Sequence, residues 1–165
     1  MKNVVLNSEE VVNKFSEMLY NIAIGYLRNK DDTEDIVQEV FMKYISYTRR
    51  KVFNNDDHIK YWLIRVTINL CNNELKSAKR KNKVDITEIE NLEAEGIKTE
   101  YTDDIVNSLS EKYRNVFRLF YIEGFKISEI SKILSISEDN VKTRLKRARE
   151  KLKHEWERGG ERDNG

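Results

Sequence analysis

The chain has 165 residues, of which 39% are hydrophobic and 36% are charged. This composition suits several amphipathic helices with solvated outer faces and argues against a thick β-sandwich or a doubly wound sheet. With no proline and only six glycines, a sharply turned all-β fold is also disfavoured. We therefore expect an all-α protein built from two small helical domains.

Several other classes of protein are excluded by single features. The lone cysteine, Cys71, rules out an internal disulfide and a cysteine-rich zinc site. The first ten residues hold no apolar stretch of signal-peptide length, and no run approaches the ~18 apolar residues of a membrane span. We expect a cytoplasmic protein without membrane insertion.

Charge is balanced in sum, with a formal net charge of +1, but the two signs are segregated along the chain. Acidic blocks cover 31–39 and 84–104, and basic blocks cover 76–83 and 142–153. Any one block can equally be a solvated helix face. Two basic blocks separated by an acidic connector instead predict two separate contacts with a polyanion.

Three amphipathic helices are predicted in the first half of the chain. The first begins at Asn7, whose side chain caps it with Glu10 as reciprocal partner. The second begins behind Asp32, and the third behind a cap at Asp56 or Asp57. Apolar residues at helical spacing form the expected buried faces: Val11, Val12, Phe15, Met18, Leu19, Ile22, Ala23, Tyr26 and Leu27, then Ile36, Val37, Val40, Phe41, Tyr44 and Ile45, then Ile59, Trp62, Leu63, Val66 and Leu70.

This three-helix bundle is expected over 7–83, followed by an acidic linker over 84–103. A second helical domain is expected over 104–157, with a flexible tail over 158–165. Within it a helix ends at Gly124, and a short helix and a tight turn precede a last helix capped by a serine. Its expected apolar positions are Ile105, Val106, Leu109, Val116, Phe117, Leu119, Phe120, Tyr121, Ile127, Ile130, Ile133, Leu134, Val141, Leu145, Ala148 and Leu152.

A short helix, a tight turn and a longer basic helix make up the helix-turn-helix arrangement, whose second helix enters a DNA major groove. Lys142 and Lys146 are four residues apart, as are Thr143 and Arg147, so these side chains lie beside one another. Arginine reads guanine bidentately, whereas lysine reaches guanine acceptors or phosphates. The alternative is a generic basic helix. DNA binding is the better interpretation because the turn, the apolar anchors and the charge agree.

The third helix carries residue types that suit an unpaired strand of nucleic acid. Asn69 and Asn73 lie one turn apart, with Trp62 upstream and Lys76 and Arg80 downstream. Amides read base edges, aromatic rings stack on bases, and cations hold phosphates. Taken alone, Trp62 is better interpreted as a core residue, so the two asparagines carry this hypothesis.

The acidic block at 31–39 lacks the glycine and the spaced oxygen ligands of an EF-hand loop, so a protein–protein contact is the better interpretation. The two histidines, His58 and His154, stand in no catalytic motif, and the chain has neither a phosphate-binding glycine loop nor a nucleophile elbow. We expect no enzyme activity, no metal and no cofactor.

Three stretches of the chain are similar to one family. DDTEDIVQEVF at 31–41, YWLIRVTIN at 61–69 and VKTRLKRAR at 141–149 resemble regions 2.2, 2.3–2.4 and 4.2 of the extracytoplasmic-function sigma factors of bacterial RNA polymerase. The stretches occur in the family's order and at its spacing, within a resemblance over about 8–82 and 103–155. Together they are strong evidence, where any one alone is moderate.

The resemblance implies the protein partners. The helix of region 2.2 docks on the clamp coiled coil of core RNA polymerase, and region 4 contacts the flap. An anti-sigma factor that covers both domains is implied as well. The residues that the resemblance assigns to the polymerase contact are Asp32, Asp35, Gln38, Glu39, Phe41 and Met42.

The resemblance also implies two promoter contacts. The minus-10 strand would meet the third helix, and the loop at 52–57 lies where the family holds a flipped base, whose capture offsets the cost of unstacking. By position, the resemblance assigns Asn69 and Asn73 to the minus-10 contact and Lys142, Thr143, Lys146 and Arg147 to the minus-35 contact. The other predicted DNA-binding residues are Trp62, Lys76 and Arg80 on the minus-10 side and Ser137 and Arg149 on the minus-35 side. Departures from the family pattern are Ser110 for a proline, Asp139 for a glycine and Lys126 for a capping serine.

Two alternatives stay open at this point. A stand-alone helix-turn-helix regulator would bind duplex DNA as a dimer, without polymerase, and would have no use for the acidic block at 31–39. A sigma-like adaptor would bind polymerase or an anti-sigma protein tightly and melt promoters weakly.

Overall fold

A computed structural model describes the backbone of residues 6–81 and 100–163 and the side chains of 6–78 and 104–157. Over those residues the chain is helical without any strand, which confirms the predicted fold class. None of the helices in the described ranges is long and apolar enough to cross a membrane. The chain divides into two compact units, and the division falls inside the predicted linker.

The first unit is a three-helix bundle of α1 (Ser8–Leu27), α2 (Lys30–Thr48) and α3 (Asp56–Lys81). Each helix packs on the other two. The apolar side chains that are completely buried at its centre are Val11, Leu19, Ala23, Val40, Ile59, Leu63, Ile64, Ile68 and Cys71.

The start of α1 confirms the predicted capping box, because the Asn7 side chain accepts from the Glu10 N–H at 2.9 Å and the Glu10 carboxylate accepts from the Asn7 N–H at 3.2 Å. The predicted start of α2 was wrong. Asn29 caps this helix by accepting from the Asp32 N–H at 3.0 Å, so α2 begins at Lys30. Asparagine caps a helix as well as aspartate does, and here Asn29, which precedes Asp32 in the chain, takes the N-cap position.

The same error affects α3. Asn55 accepts from the His58 N–H at 2.8 Å, so the cap is Asn55, and Asp56 is already the first helical residue.

The predicted inward face of α3 was also too narrow. Because α3 packs on both α1 and α2, its buried arc is wider than a single stripe and includes polar residues. The additional buried residues on α3 are Ile64, Thr67, Ile68, Cys71 and Asn72, while Trp62, Val66 and Leu70 are half-buried.

The second unit consists of α4 (Glu100–Ser108), α5 (Glu111–Phe117), a π-helical turn (Arg118–Ile122), α6 (Ile127–Leu134) and α7 (Glu138–Asp163). The long helix α7 packs against α4, α5 and α6. The apolar side chains that are completely buried in this unit are Val106, Val116, Ile130, Ile133, Val141 and Ala148.

Three predictions for this half need correction. Helix α4 already begins at Glu100, inside the predicted linker, and α7 continues to Asp163, through most of the predicted tail. Tyr121 was expected inside, but its side chain is 45% exposed because it lies on the outer side of the π-helical turn. Residues 84–99 of the predicted linker and 164–165 of the tail lie outside the described residues, as do residues 82–83 of the predicted bundle and the side chain of Arg80.

Candidate nucleic-acid interface

The turn between α6 and α7 is fixed by local hydrogen bonds. Ser135 adopts the left-handed conformation, with φ 56°, and its N–H donates to the Ser131 carbonyl. The Ser131 hydroxyl donates to the Ile136 carbonyl across the turn. The hydroxyl of Ser137 accepts from the Asn140 N–H at 3.1 Å and so caps α7, as predicted. The two helices of the helix-turn-helix are thereby held at a defined junction.

The rotation of α7 is set by its apolar row. Val141, Leu145 and Ala148 are buried, and Leu152 is half-buried. All six predicted minus-35 residues are exposed at or beyond the cap: Ser137, Lys142, Thr143, Lys146, Arg147 and Arg149. The structure therefore brings these side chains to the surface of one helix, with the apolar row facing inward.

Some polar groups on α7 are already hydrogen-bonded within the unit. The Thr143 hydroxyl donates to the Asp139 carbonyl at 3.0 Å, which leaves its lone pairs and methyl group for a partner. The Arg144 guanidinium donates to the Asn140 side chain at 3.0 Å. Asp139, in the first turn of α7, suits the positive end of the helix dipole.

Two tyrosines of the second unit contact arginines of α7, although Tyr121 was predicted only as an apolar position and no role was predicted for Tyr113. The Arg149 guanidinium donates to the Tyr121 hydroxyl at 2.7 Å. A hydrogen bond from Arg147 lowers the pKa of Tyr113, and nearby Lys112 lowers it further. A tyrosine can pack its ring among apolar residues and still form a hydrogen bond through its hydroxyl. This second role of the two tyrosines was not predicted from the sequence.

Two arginines of the second unit are buried and hold its helices together. Arg114 donates to the carbonyls of Asn107 and Leu109, each at 3.2 Å, and Arg118 donates to the Asn107 side chain at 3.2 Å. Burial raises the pKa of Glu123, and the charge of Arg118 partly offsets this. The two arginines join α4 to α5 and to the π-helical turn, and we therefore assign them a structural role and not a role in DNA binding.

The first unit presents the predicted polymerase-binding residues on α2. Asp32, Asp35, Gln38, Glu39 and Met42 are exposed, and Met42 is 70% exposed although it is apolar. Phe41 lies in the core of the bundle and is only 8% exposed. Ile45, expected inside, is 41% exposed and lies one turn beyond Phe41 and Met42. The face is therefore acidic at its start and apolar at its end.

Phe53, in the loop between α2 and α3, is the centre of an aromatic cluster. Its ring centroid lies 5.5 Å from that of Tyr44, 5.4 Å from Tyr47 and 5.7 Å from Trp62. Its neighbour Val52 is 83% exposed. The loop at 52–57 thus has a fixed aromatic base and an exposed tip.

Trp62, Asn69, Asn73 and Lys76 share one side of α3, because their spacings of seven, four and three residues match the helical repeat. The two asparagines and the lysine are exposed, and Trp62 is half-buried. The row extends about 21 Å along the helix. Asn72, between the two exposed asparagines, is completely buried. No group of three or more histidine, cysteine, aspartate or glutamate side chains within the described ranges could hold a metal ion.

Comparison with known proteins matches both units. The family model "Sigma-70 region 2" covers residues 11–81, and "Sigma-70, region 4" covers residues 99–152. The chain is 32% identical over 133 residues to RNA polymerase sigma factor SigV of Bacillus subtilis, a match covering 78% of each chain. It is 28% identical over 164 residues to ECF RNA polymerase sigma factor SigW of the same organism, covering 87% of this chain and 86% of SigW.

A solved structure has the same fold. The sigma factor RpoE of Bartonella quintana, crystallised in complex with the anti-sigma factor NepR, superposes with a TM-score of 0.60 at 20% identity. The superposition covers 88% of this chain and 94% of that one.

Proposed function

The chain belongs to the extracytoplasmic-function sigma factors of the sigma-70 family, and on that premise we propose how its residues divide the work of promoter recognition. As a sigma factor, it directs core RNA polymerase to promoters and initiates transcription. The proposal concerns which side chains bind polymerase, which bind the melted strand and which bind duplex DNA.

Helix α2 is the polymerase-binding element of the first unit. Its exposed face combines carboxylates at one end with the exposed apolar side chains of Met42 and Ile45 at the other. Exposed apolar side chains of this kind mark a protein-binding surface. Phe41 supports this face from the core and does not itself offer surface to a partner. The clamp coiled coil of polymerase is contacted by five side chains of α2: Asp32, Asp35, Gln38, Glu39 and Met42. The flap of polymerase is contacted by the second unit.

Helix α3 is the minus-10 element of the first unit. The row of Trp62, Asn69, Asn73 and Lys76 supplies an aromatic face, two amides and a cation along one side of the helix. An unpaired strand needs these groups for stacking, base-edge hydrogen bonds and phosphate contacts. Arg80 extends the same basic stretch of sequence.

Helix α7 is the minus-35 element of the second unit. Its N-terminal part enters the major groove with Lys142, Thr143 and Lys146, since the first turns of a recognition helix reach the base edges. Arg147 and Arg149 complete the contact, together with Ser137, which lies at the N-terminal end of the helix as its cap.

The remaining proposals follow from this division. The protein works in the cytoplasm, where polymerase and promoters are, and it performs no catalysis of its own. An anti-sigma factor regulates it by covering polymerase-binding and DNA-binding surfaces, by analogy with the complex of RpoE and NepR.

The observation that carries the proposal is the pair of exposed rows, one on α3 and one on α7, each backed by a buried apolar face. The test is run-off transcription with purified core polymerase on a library of promoter-like templates. Wild-type protein should give factor-dependent transcripts. Both Asn69→Ala with Asn73→Ala and Lys142→Ala with Lys146→Ala should weaken these transcripts about tenfold or more, because each variant loses two contacts of about 1 kcal/mol or more.

A template with a pre-melted minus-10 region separates the two roles. Pre-melting should partly restore transcription by the asparagine variant and should leave the lysine variant weak. Asn13→Ala with Asn21→Ala, which removes two exposed asparagines from α1, is the matched control and should behave as wild type. Duplex binding without core polymerase, and without any dependent transcript, would identify a stand-alone regulator. Tight core binding without transcription would identify an adaptor.

A further inference from the structure

A hydrogen bond joins the recognition helix to a distant part of the second unit. The Arg149 guanidinium donates to the Tyr121 hydroxyl at 2.7 Å, across 28 residues of sequence. A donor that carries a full charge makes such a bond stronger than a neutral one. Both residues are exposed, so the bond stands at the surface, where a ligand can reach the other N–H groups of the arginine.

The tyrosine at the other end of this bond is held firmly. Its ring centroid lies 4.7 Å from that of Phe117, in a tilted stack, and 4.9 Å from that of Phe120, edge to face. It belongs to the π-helical turn, whose Leu119 and Arg118 are buried in the core. Turns of this kind are uncommon and are frequently found at functional sites.

The position of Arg149 on α7 makes it part of the DNA-facing row. Lys142, Lys146 and Arg149 follow one another at spacings of four and three residues, so they share one side of the helix. The row is about 10 Å long. Since the N-terminal end of a recognition helix reaches the bases, the C-terminal end of the row is the part that meets the sugar–phosphate backbone.

We infer that Tyr121 is a positioning residue for DNA binding, whose hydroxyl holds the Arg149 guanidinium ready to accept a DNA phosphate between its remaining N–H groups. This inference rests on the proposed role of α7. Arginine has five N–H donors in a fixed plane, so one bond to the tyrosine orients the plane and leaves four donors available. A side chain that is ordered before binding loses less conformational freedom when the complex forms.

The test is a double-mutant cycle on the full chain bound to core polymerase. The probe is a promoter duplex that gives a factor-dependent transcript, and affinity is measured over a series of salt concentrations. Tyr121→Phe deletes only the hydroxyl and should weaken binding about 3- to 10-fold, without changing the salt dependence, because every charge is kept. Arg149→Ala should weaken binding more and should reduce the slope of log K against log salt by about 0.9, the value for one phosphate contact.

In the double variant, Tyr121→Phe should have no further effect, because the arginine it positions is gone. A loss that persists in the Arg149→Ala background, or wild-type affinity for Tyr121→Phe, would overturn the inference. Tyr20→Phe, which deletes a hydroxyl from the first unit, is the matched control and should bind as wild type. Lys142→Ala with Lys146→Ala separates the two levels. If it also leaves binding unchanged, the proposed role of α7 is wrong. If only the tyrosine variant is silent, the positioning role alone is wrong.

Discussion

Tyr113 shows how one side chain can serve the core and the charged surface together. Its ring packs with Leu109 and Ala148, and it lies between two ammonium groups, 5.0 Å from the Lys112 Nζ and 5.4 Å from the Lys151 Nζ. Its hydroxyl takes a hydrogen bond from Arg147, which lowers its pKa. In the free protein Arg147 thus already has a partner, and a single bond to the tyrosine leaves its other N–H groups available for DNA.

We expect Arg147→Ala to raise the pKa of Tyr113 back toward the ordinary value of about 10, because the largest cause of the lowering is removed. The change can be followed by NMR titration of the tyrosine Cζ resonances. Because the pKa of Tyr113 is lower in the folded state than in the unfolded state, its ionisation increases the free energy of unfolding as the pH rises toward 10. Arg147→Ala should lose this increase.

The matched control is Arg149→Ala, which removes an arginine bonded to Tyr121 instead. It should leave the Tyr113 titration unchanged. If both variants shift Tyr113 equally, the lowering comes from the general positive field of α7, and Arg147 has no special part in it.

Helix ends show where sequence reasoning about elements succeeds and where it fails. The capping box at Asn7 was predicted correctly because Glu10, three residues on, supplies the reciprocal half of the box. The cap at Ser137 was predicted correctly because two carboxylates follow it in the first turn of the helix. Around Asn29 and Asn55 the sequence offers several adjacent carboxylates and amides that cap almost equally well, and tertiary packing decides among them.

The π-helical turn was not predictable from periodicity. A single extra residue in the helix shifts the phase, so Tyr121 leaves the apolar stripe and Arg118 enters the core. The sequence pattern of this stretch is the same with or without that shift. The structure shows the shift through the hydrogen bond from the buried Arg118 to Asn107 and through the bond from the Glu123 N–H to the Arg118 carbonyl, five residues back.

The turn ends at Gly124, which adopts φ +78°. The Phe125 N–H donates to the Leu119 carbonyl at 2.9 Å, and the Glu123 N–H to the Arg118 carbonyl at 2.9 Å, so the backbone conformation is fixed on both sides. A Cβ at Gly124 would meet no atom within 4 Å. Any cost of a side chain there is therefore conformational strain and not a steric clash.

We expect Gly124→Ala to lower the free energy of unfolding of the second unit by about 1 kcal/mol, since a residue with a Cβ pays this much in the left-handed region. Gly124→Asn should cost less, because asparagine tolerates that region better. Hydrogen exchange of buried amides in α5 and α7 would measure both. A larger cost for asparagine than for alanine would show that the site resists side-chain size and not the left-handed φ.

At the scale of the whole molecule, function depends on the order of charges more than on their sum. A net charge of +1 gives no hint of DNA binding, yet the acidic face of α2 and the basic face of α7 belong to separate units with separate cores. This organisation could be predicted from the sequence because charge blocks and the family resemblance are read along the chain. The tyrosine–arginine contacts could not be predicted, because they join residues far apart in sequence.

Separate units lead to a prediction about additivity. The changes in binding free energy caused by Asn69→Ala with Asn73→Ala and by Lys142→Ala with Lys146→Ala should add to within about 0.5 kcal/mol when the two pairs are combined. The reason is that the two pairs contact different elements of the promoter and have no contact in common. Holoenzyme binding to a promoter with a pre-melted minus-10 region, measured over a range of salt concentrations, would test this.

The salt series also distinguishes the chemistry of the two contacts. If Lys142 and Lys146 each contact a phosphate, replacing both by alanine should reduce the magnitude of the slope of log K against log salt by about 1.8, because each phosphate contact releases roughly one counterion. The asparagines are uncharged, so their loss should leave the slope unchanged even though affinity falls. A flatter slope for the asparagine variant would mean that α3 no longer reaches the phosphates of the strand, and that its amides orient the backbone and do not read bases.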